Sequence, residues 1–319
     1  MSRVLRWHRF GVATYGDGGA RLTGPDVEEV ADPDRADVLV IAQYGFVMRR
    51  APAAWARLWD EPAIRRDPSR VVLADCADDE YVPPMPGVLF FRCGAPARLC
   101  DAYPSMIPWP WPSPDLGWIR AAAPALHARP YDVTFHGWVR LPVAEQALAS
   151  VRRAWAAQPG LLHLAAHADF HGYRGLQAGN HVEGVGAPEG LTAETVQRER
   201  AFRDGLANAW CSLAPESIPG VLRYRVTEAL SAGRIPVVIG DGHRFPFADR
   251  IPWGRIAIEI PAAQAAHTGD ILKDWLARTS PAERLAREAE ARDAYARWLC
   301  KDRFAERMAD VVREVLAWK

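Results

Sequence analysis

No run of this chain approaches the ~18 consecutive apolar residues that a membrane-spanning helix needs. The first residues, Met1 to His8, lack the apolar core of a secretion signal, so the expected location is cytoplasmic. The five cysteines (Cys76, Cys93, Cys100, Cys211 and Cys300) contain no Cys-x-x-Cys pair, and their odd number and wide spacing point to reduced thiols rather than a disulfide framework. Charge of one sign is also missing: Lys+Arg and Asp+Glu both number 39, which argues against a nucleic-acid binder. With no secretion signal, that neutrality argues against an extracellular lectin too. There is no low-complexity tract and no internal repeat of ~20–50 residues. What is present is 319 residues, 49% of them hydrophobic, enough for two α/β domains with real cores.

Taken in order, the chain reads as two β/α units. Residues 3–8 suggest a weak first strand, and Asp32 to Ala36 a short helical turn. Val38 to Ala42 is a β-branched run of the buried-strand type, with Tyr44 and Gly45 at its carboxyl end, where α/β sheets bind ligands. Ala53 to Leu58 continues as helix, Val71 to Ala74 and Val88 to Arg92 as strands. The acids Asp75, Asp78, Asp79 and Glu80 follow a strand end, and read as a solvated loop, with a metal or a substrate hydroxyl as the alternative. From Pro104 to Trp118 proline recurs too often for a helix or a central strand. This stretch is expected to cross between domains, with Trp109, Trp111 and Trp118 filling the seam or stacking on a sugar or base.

Tyr131 to His136 alternates as the first strand of the second unit. Gly137 directly after it would let backbone approach a phosphate, with Arg140 beside it, ahead of a helix through Val151 and Trp155. Leu161 to Leu164 is the next strand. His163, His167, His171 and His181 invite a metal, but their strand-and-loop context and the lack of a nearby cysteine favour a polar loop, with Asp169 or His171 as an acid/base group. Glu194 to Trp210 patterns as an amphipathic helix with Val196, Phe202, Leu206 and Ala209 on its apolar side. Gly269 to Leu316 reads as a helical tail.

The densest stretch begins at Trp210. Cys211 to Ala214 is a short strand, and Pro215 to Gly220 is a loop. Leu222, Val226, Ala229 and Leu230 fall at helical spacing, Gly233 stops the helix, and Ile235 to Ile239 is a buried strand. Arg225 and Glu228 stand three apart on that helix and share a face. Taken alone, they are an intrahelical ion pair.

In combination these residues resemble the signature of exostosin-type glycosyltransferases. The resemblance is carried by Cys211-Ser-Leu-Ala-Pro215, then Arg225, Glu228-Ala-Leu230, Ala232-Gly233 and Ile235-Pro-Val-Val-Ile239, then Phe245-Pro-Phe247 and Ile251-Pro-Trp253, and the strand Ile256 to Pro261. Asp132 to Gly137 and, more faintly, Ala36 to Tyr44 extend it upstream. Three positions depart from the pattern: Arg223 stands for a serine, Arg234 for a cysteine and Ser217 for a glycine.

The resemblance implies a GT-B fold: an α/β protein of two Rossmann-like domains with a cleft between them. The expected divisions are an acceptor-side domain over 1–120, a nucleotide-sugar domain over 121–285, and a tail over 286–319 packing back on the first domain. It implies transfer of a sugar from a nucleotide sugar, taken as UDP-linked, to a saccharide or glycoconjugate, with no metal and no other cofactor. Arg225 would grip the diphosphate, the helix start near Arg223 would add backbone donors, and Glu228 would accept from ribose hydroxyls. Gly137, Arg140 and Pro215 complete the expected donor contacts. A glutamate eight positions before Glu228 would mark a retaining enzyme; Gly220 stands there, so inversion is expected, with Asp169, His171, Asp75 or Glu80 as the base. Two alternatives remain: a retaining GT-B enzyme, and a catalytically silent GT-B protein that binds nucleotide sugar or scaffolds a complex. No integral membrane segment is expected, only a peripheral association through a lipid-linked acceptor.

Overall fold

The computed structural model describes residues 4–10, 22–42, 52–75, 88–111, 113, 115–117, 129–167 and 193–317. The readings placed on Tyr44, Gly45, Cys76, Asp78, Asp79, Glu80, Trp118, Asp169, His171 and His181 lie outside these residues.

Two parallel sheets organise the chain. The first holds β1 (Leu5–Phe10), β2 (Val27–Glu29), β3 (Val38–Ala42), β4 (Val71–Asp75), β5 (Leu89–Cys93) and β6 (Met106–Trp109), in the order β2-β1-β3-β4-β5-β6. Between them run helices α1 (Pro52–Trp59), α2 (Pro62–Arg66) and α3 (Ala97–Ala102). The period-two alternation of the strands sends Leu39, Ile41, Leu73 and Phe90 to one face, under α1 and α2, where they meet Leu58 and Ile64. Trp7, Val38, Val40, Val72 and Phe91 go to the other.

The second sheet holds β7 (Tyr131–Trp138), β8 (Leu162–His167), β9 (Ala209–Pro215), β10 (Ile235–Ile239) and β11 (Ile258–Ile260), in the order β11-β10-β9-β7-β8. Its helices are α4 (Pro142–Ala154), α5 (Ala193–Asn208), α6 (Tyr224–Ser231) and the single turn α7 (Trp253–Ile256). Strands β9 and β10 are buried along their whole length, which is why β10 reads as an unbroken apolar run and β9 as one interrupted only by Ser212. Counted from its own first strand, this sheet repeats the order of the first: second, first, third, fourth, fifth. In both sheets chain progression therefore reverses between the first and third strands. At such a switch point the two flanking loops leave in opposite directions and open a crevice at the carboxyl ends of the strands. In the second sheet that point lies between β7 and β9.

The tail folds as α8 (Thr268–Arg278), α9 (Pro281–Ala294) and α10 (Phe304–Ala317) rather than as one run. Ser280 accepts from the Glu283 amide (3.1 Å), and Pro281 opens the second helix, so a capping motif restarts it. Phe304, Met308 and Val312 of α10 join the same core as Trp7, Val40 and Phe91 of the first sheet. That core runs on into Leu222, Val226 and Leu230 around α6. Among the described residues no helix is long and apolar enough to cross a membrane.

Ile256, read as the start of a strand, closes the helical turn α7, and β11 begins only at Ile258. Three further boundaries differ from the sequence reading. Strand β7 continues through Gly137 and Trp138, which lie in register with Ala166 and His167 of β8. Helix α5 stops at Asn208, because Ala209 is drawn into register with Tyr131 and starts β9. The proline-rich stretch contributes β6, which among the described residues is bonded to β5 alone. An edge strand tolerates Pro108 because one side of its backbone needs no donor.

Two tryptophans of that stretch, Trp109 and Trp111, lie in the seam. Trp109 is edge-on to Phe91 (4.8 Å), Phe247 (5.2 Å) and Phe304 (5.6 Å), rings from the first sheet, the loop after β10, and α10. Trp111 donates to the Leu222 carbonyl at 2.7 Å. Trp109→Ala is expected to cost about 3–5 kcal/mol, the usual range for emptying a buried aromatic site. Trp109→Phe should recover most of that, because the buried indole N–H of Trp109 has no hydrogen-bond partner to lose. Thermal unfolding of the two variants separates lost volume from lost polarity.

Candidate active site

Helix α6 places the central pair. Arg223 caps it in an extended conformation, and its guanidinium donates to the Pro215 carbonyl (3.0 Å), tying the helix start to the end of β9. Val226, Ala229 and Leu230 face the core and fix the helix rotation. Arg225 and Glu228 are thereby turned together, with Arg225 Nη1 donating to Glu228 Oε2 at 2.8 Å. Only 12% of the Arg225 side chain and 10% of that of Glu228 are exposed, so this is no ordinary surface pair. Gly233 ends the helix at φ 66°: its amide bonds to the Leu230 carbonyl (2.9 Å), and that of Arg234 to Ala229 (2.8 Å). The two crossed bonds release the chain directly into β10.

A second element approaches from β7. A Cβ added to Gly137 would lie 3.3 Å from the Phe135 ring and 4.0 Å from Arg225 Nε. Gly137 therefore acts by leaving room inside a strand, not by forming the strand-to-helix turn expected of it; α4 begins only at Pro142. Helix α5 supplies a third element. The Arg225 guanidinium carbon lies 4.4 Å above the Phe202 ring. Behind Phe202 stand His136 of β7 and His163 of β8, whose ring nitrogens meet at 3.1 Å. The guanidinium thus sits at the carboxyl ends of β7 and β9, at the switch point of the sheet.

Electrostatics follow from burial. Desolvation pushes the Glu228 carboxyl above the usual carboxylate range, against the pull of Arg225 and Arg223. Burial likewise holds His163 below the ordinary histidine value, opposed by Asp204. Glu216, just past β9, is pushed up by burial, while the backbone amides of Gly220 and Asp241 pull it back. Among the described residues no cluster of three or more His, Cys, Asp or Glu side chains could hold a metal.

Of the residues expected to form the site, Arg225, Glu228 and Gly137 are brought together, and Arg223 and Pro215 are joined beside them. Arg140 is exposed, its guanidinium 5.3 Å from the Trp138 ring centre. Asp169 and His171 are outside the described residues. Arg234, one of the departures from the exostosin pattern, points away from the site. It is fully buried, ion-paired with Glu288 (2.9 Å), and donates to the Leu206 carbonyl (2.6 Å). Phe202 was visible in the sequence only as one apolar position of an amphipathic helix. Nothing local links it to Arg225, 23 residues on.

The sequence matches no known protein family and no curated protein. Comparison of the fold does find likenesses. A glycosyltransferase from Rickettsia africae ESF-5 aligns with 89% of this chain and 78% of its own, at 8% identity and a TM-score of 0.51. AviGT4, a glycosyltransferase involved in avilamycin A biosynthesis, aligns with 98% of both chains at 15% identity and a TM-score of 0.46. Anabaena Alr3699/HepE, solved in complex with UDP and glucose, covers 99% of this chain and 100% of its own, at 11% identity and a TM-score of 0.46. At such identities the likeness is one of fold. The chain has the two-domain α/β architecture of GT-B glycosyltransferases.

Proposed function

We propose that this protein is an exostosin-like glycosyltransferase that moves a sugar from a nucleotide sugar, UDP-linked in the first instance, to a saccharide or glycoconjugate acceptor. The observation that carries the reading is the position of Arg225: a largely desolvated guanidinium, oriented by Glu228 and Phe202, at the switch point of the second sheet. This is where a doubly wound sheet binds a nucleotide. A diphosphate there meets Arg225 and the amides at the start of α6, and the charge that develops on the leaving nucleoside diphosphate is stabilised by donors already in position. On this reading no metal ion is required. Gly137 lets the backbone of β7 come close to the phosphates, and Glu228 is the acceptor available to ribose hydroxyls.

Displacement with inversion is the favoured course. A retaining partner carboxylate is expected eight residues before Glu228, and Gly220 occupies that position at φ 76°, where an added Cβ would lie 3.0 Å from the Gly242 carbonyl oxygen. That backbone favours glycine and leaves little room for a glutamate. Asp169 and His171 remain the proposed bases, and a lipid-linked acceptor would bring the enzyme to a membrane surface. Incubation with a panel of nucleotide sugars and simple saccharides tests the proposal. Nucleoside diphosphate is released and a glycoside forms whose anomeric configuration, read by NMR, is opposite to that of the donor. Binding of nucleotide without turnover of any donor would leave a silent binding protein instead.

A further inference from the structure

We infer that Phe202 is a positioning residue of the donor site, the shelf that fixes the plane of the Arg225 guanidinium. The inference rests on the proposed donor-binding role of Arg225 and adds the residue through which that role depends on α5.

Arg225 Nη1 donates to Glu228 Oε2 at 2.8 Å, a bond that lies along the edge of the guanidinium. A bidentate grip on a diphosphate needs the plane of the fork fixed as well as its edge. The Phe202 ring, 4.4 Å beneath the guanidinium carbon, supplies that plane. Stacking on an aromatic face is favourable for a cation and more so where water is excluded, as it is around the Arg225 side chain. Phe202 is itself held from behind. His136 meets it at a 60° interplanar angle with centroids 6.3 Å apart, and His163 is stacked on His136 at 4.9 Å. Strands β8 and β7 and helix α5 thus buttress one residue of α6. A purely space-filling phenylalanine would be replaceable by any apolar side chain of similar size; a shelf requires a π face.

Calorimetric titration of UDP into the protein distinguishes the two. Relative to wild type, Phe202→Leu should weaken binding about tenfold, and Phe202→Tyr, which keeps the ring, should bind as wild type does. In an Arg225→Ala background, Phe202→Leu should have no further effect, because the shelf acts through the arginine. Phe202→Met serves the same purpose should the leucine variant not fold. Unchanged affinity in the leucine or methionine variant, an equal loss in the tyrosine variant, or the same loss with and without Arg225 would overturn the shelf while leaving the donor site standing. No binding of UDP to the wild-type protein would overturn the donor site itself, and the shelf with it.

Discussion

Glu288→Ala is expected to destabilise the protein by about 3–5 kcal/mol, the cost of leaving buried cations unpaired. Glu288 lies on α9 with no exposed surface, and it holds two arginines from distant parts of the chain. Arg129 Nη2 meets Oε2 at 2.7 Å, and Arg234 Nη1 meets Oε1 at 2.9 Å. Those arginine side chains are 3% and 0% exposed. Part of their hydrogen bonding would survive, since Arg234 also reaches the Leu206 and Ala207 carbonyls and Arg129 the Ala207 carbonyl. Their charge would not be balanced. Arg129 and Arg284 also lie over the Trp210 ring (4.9 and 4.7 Å), so a shift in one cation disturbs β9. Glu288→Gln keeps an acceptor and the shape, and should cost less than Ala. Breaking the exposed pair Arg287–Glu283 on the same helix should change stability by less than about 1 kcal/mol. Denaturant unfolding of the three variants checks the order. A Glu288→Ala variant no weaker than the surface variant would show that the triad does not anchor the tail.

Arg225→Ala is expected to weaken nucleoside-diphosphate binding by about 2–4 kcal/mol, roughly 30-fold or more, with little change in the unfolding midpoint. The two halves of this expectation have one cause. Burial already pushes the Glu228 carboxyl upward, and Arg225 is the largest influence opposing that shift. With the arginine gone, burial pushes the Glu228 carboxyl further toward its neutral form, which lessens the cost to the helix. The phosphates have no such recourse, because they stay charged and lose a fork of donors. Arg225→Lys keeps the charge but neither the fork nor the flat face that rests on Phe202, and should fall between. Calorimetry and thermal unfolding on the same samples separate affinity from stability. A large fall in midpoint with unchanged affinity would reverse the assignment and make the pair structural.

Local chemistry made much of the second domain legible. Gly233 announced the end of α6, and Ile235 to Ile239 announced a strand buried on both faces. The spacing of Arg225 and Glu228 put them on one side. Non-local pairing decided what could not be read. Gly137 and Trp138 belong to β7 because β8 extends alongside them, and Pro108 sits in a strand because that strand lies at an edge. In the sequence Arg234 stood out only as a departure from the exostosin pattern. Its partner Glu288 lies 54 residues later, and only the packing of α9 against α6 turns it inward. Phe202 was hidden for the same reason: an apolar position on a helix does not reveal which side chain will lie across it. The strand order that puts Arg225 at a switch point is likewise a property of the whole sheet.

The most direct test is a crystal structure of the protein with UDP. The account predicts phosphate oxygens within about 3 Å of the Arg225 guanidinium and of the amides at the start of α6, with the ribose toward Glu228. Diphosphate bound at the first sheet, or in the apolar pocket of about 270 Å³ between Val72, Leu89 and Val315, would contradict it.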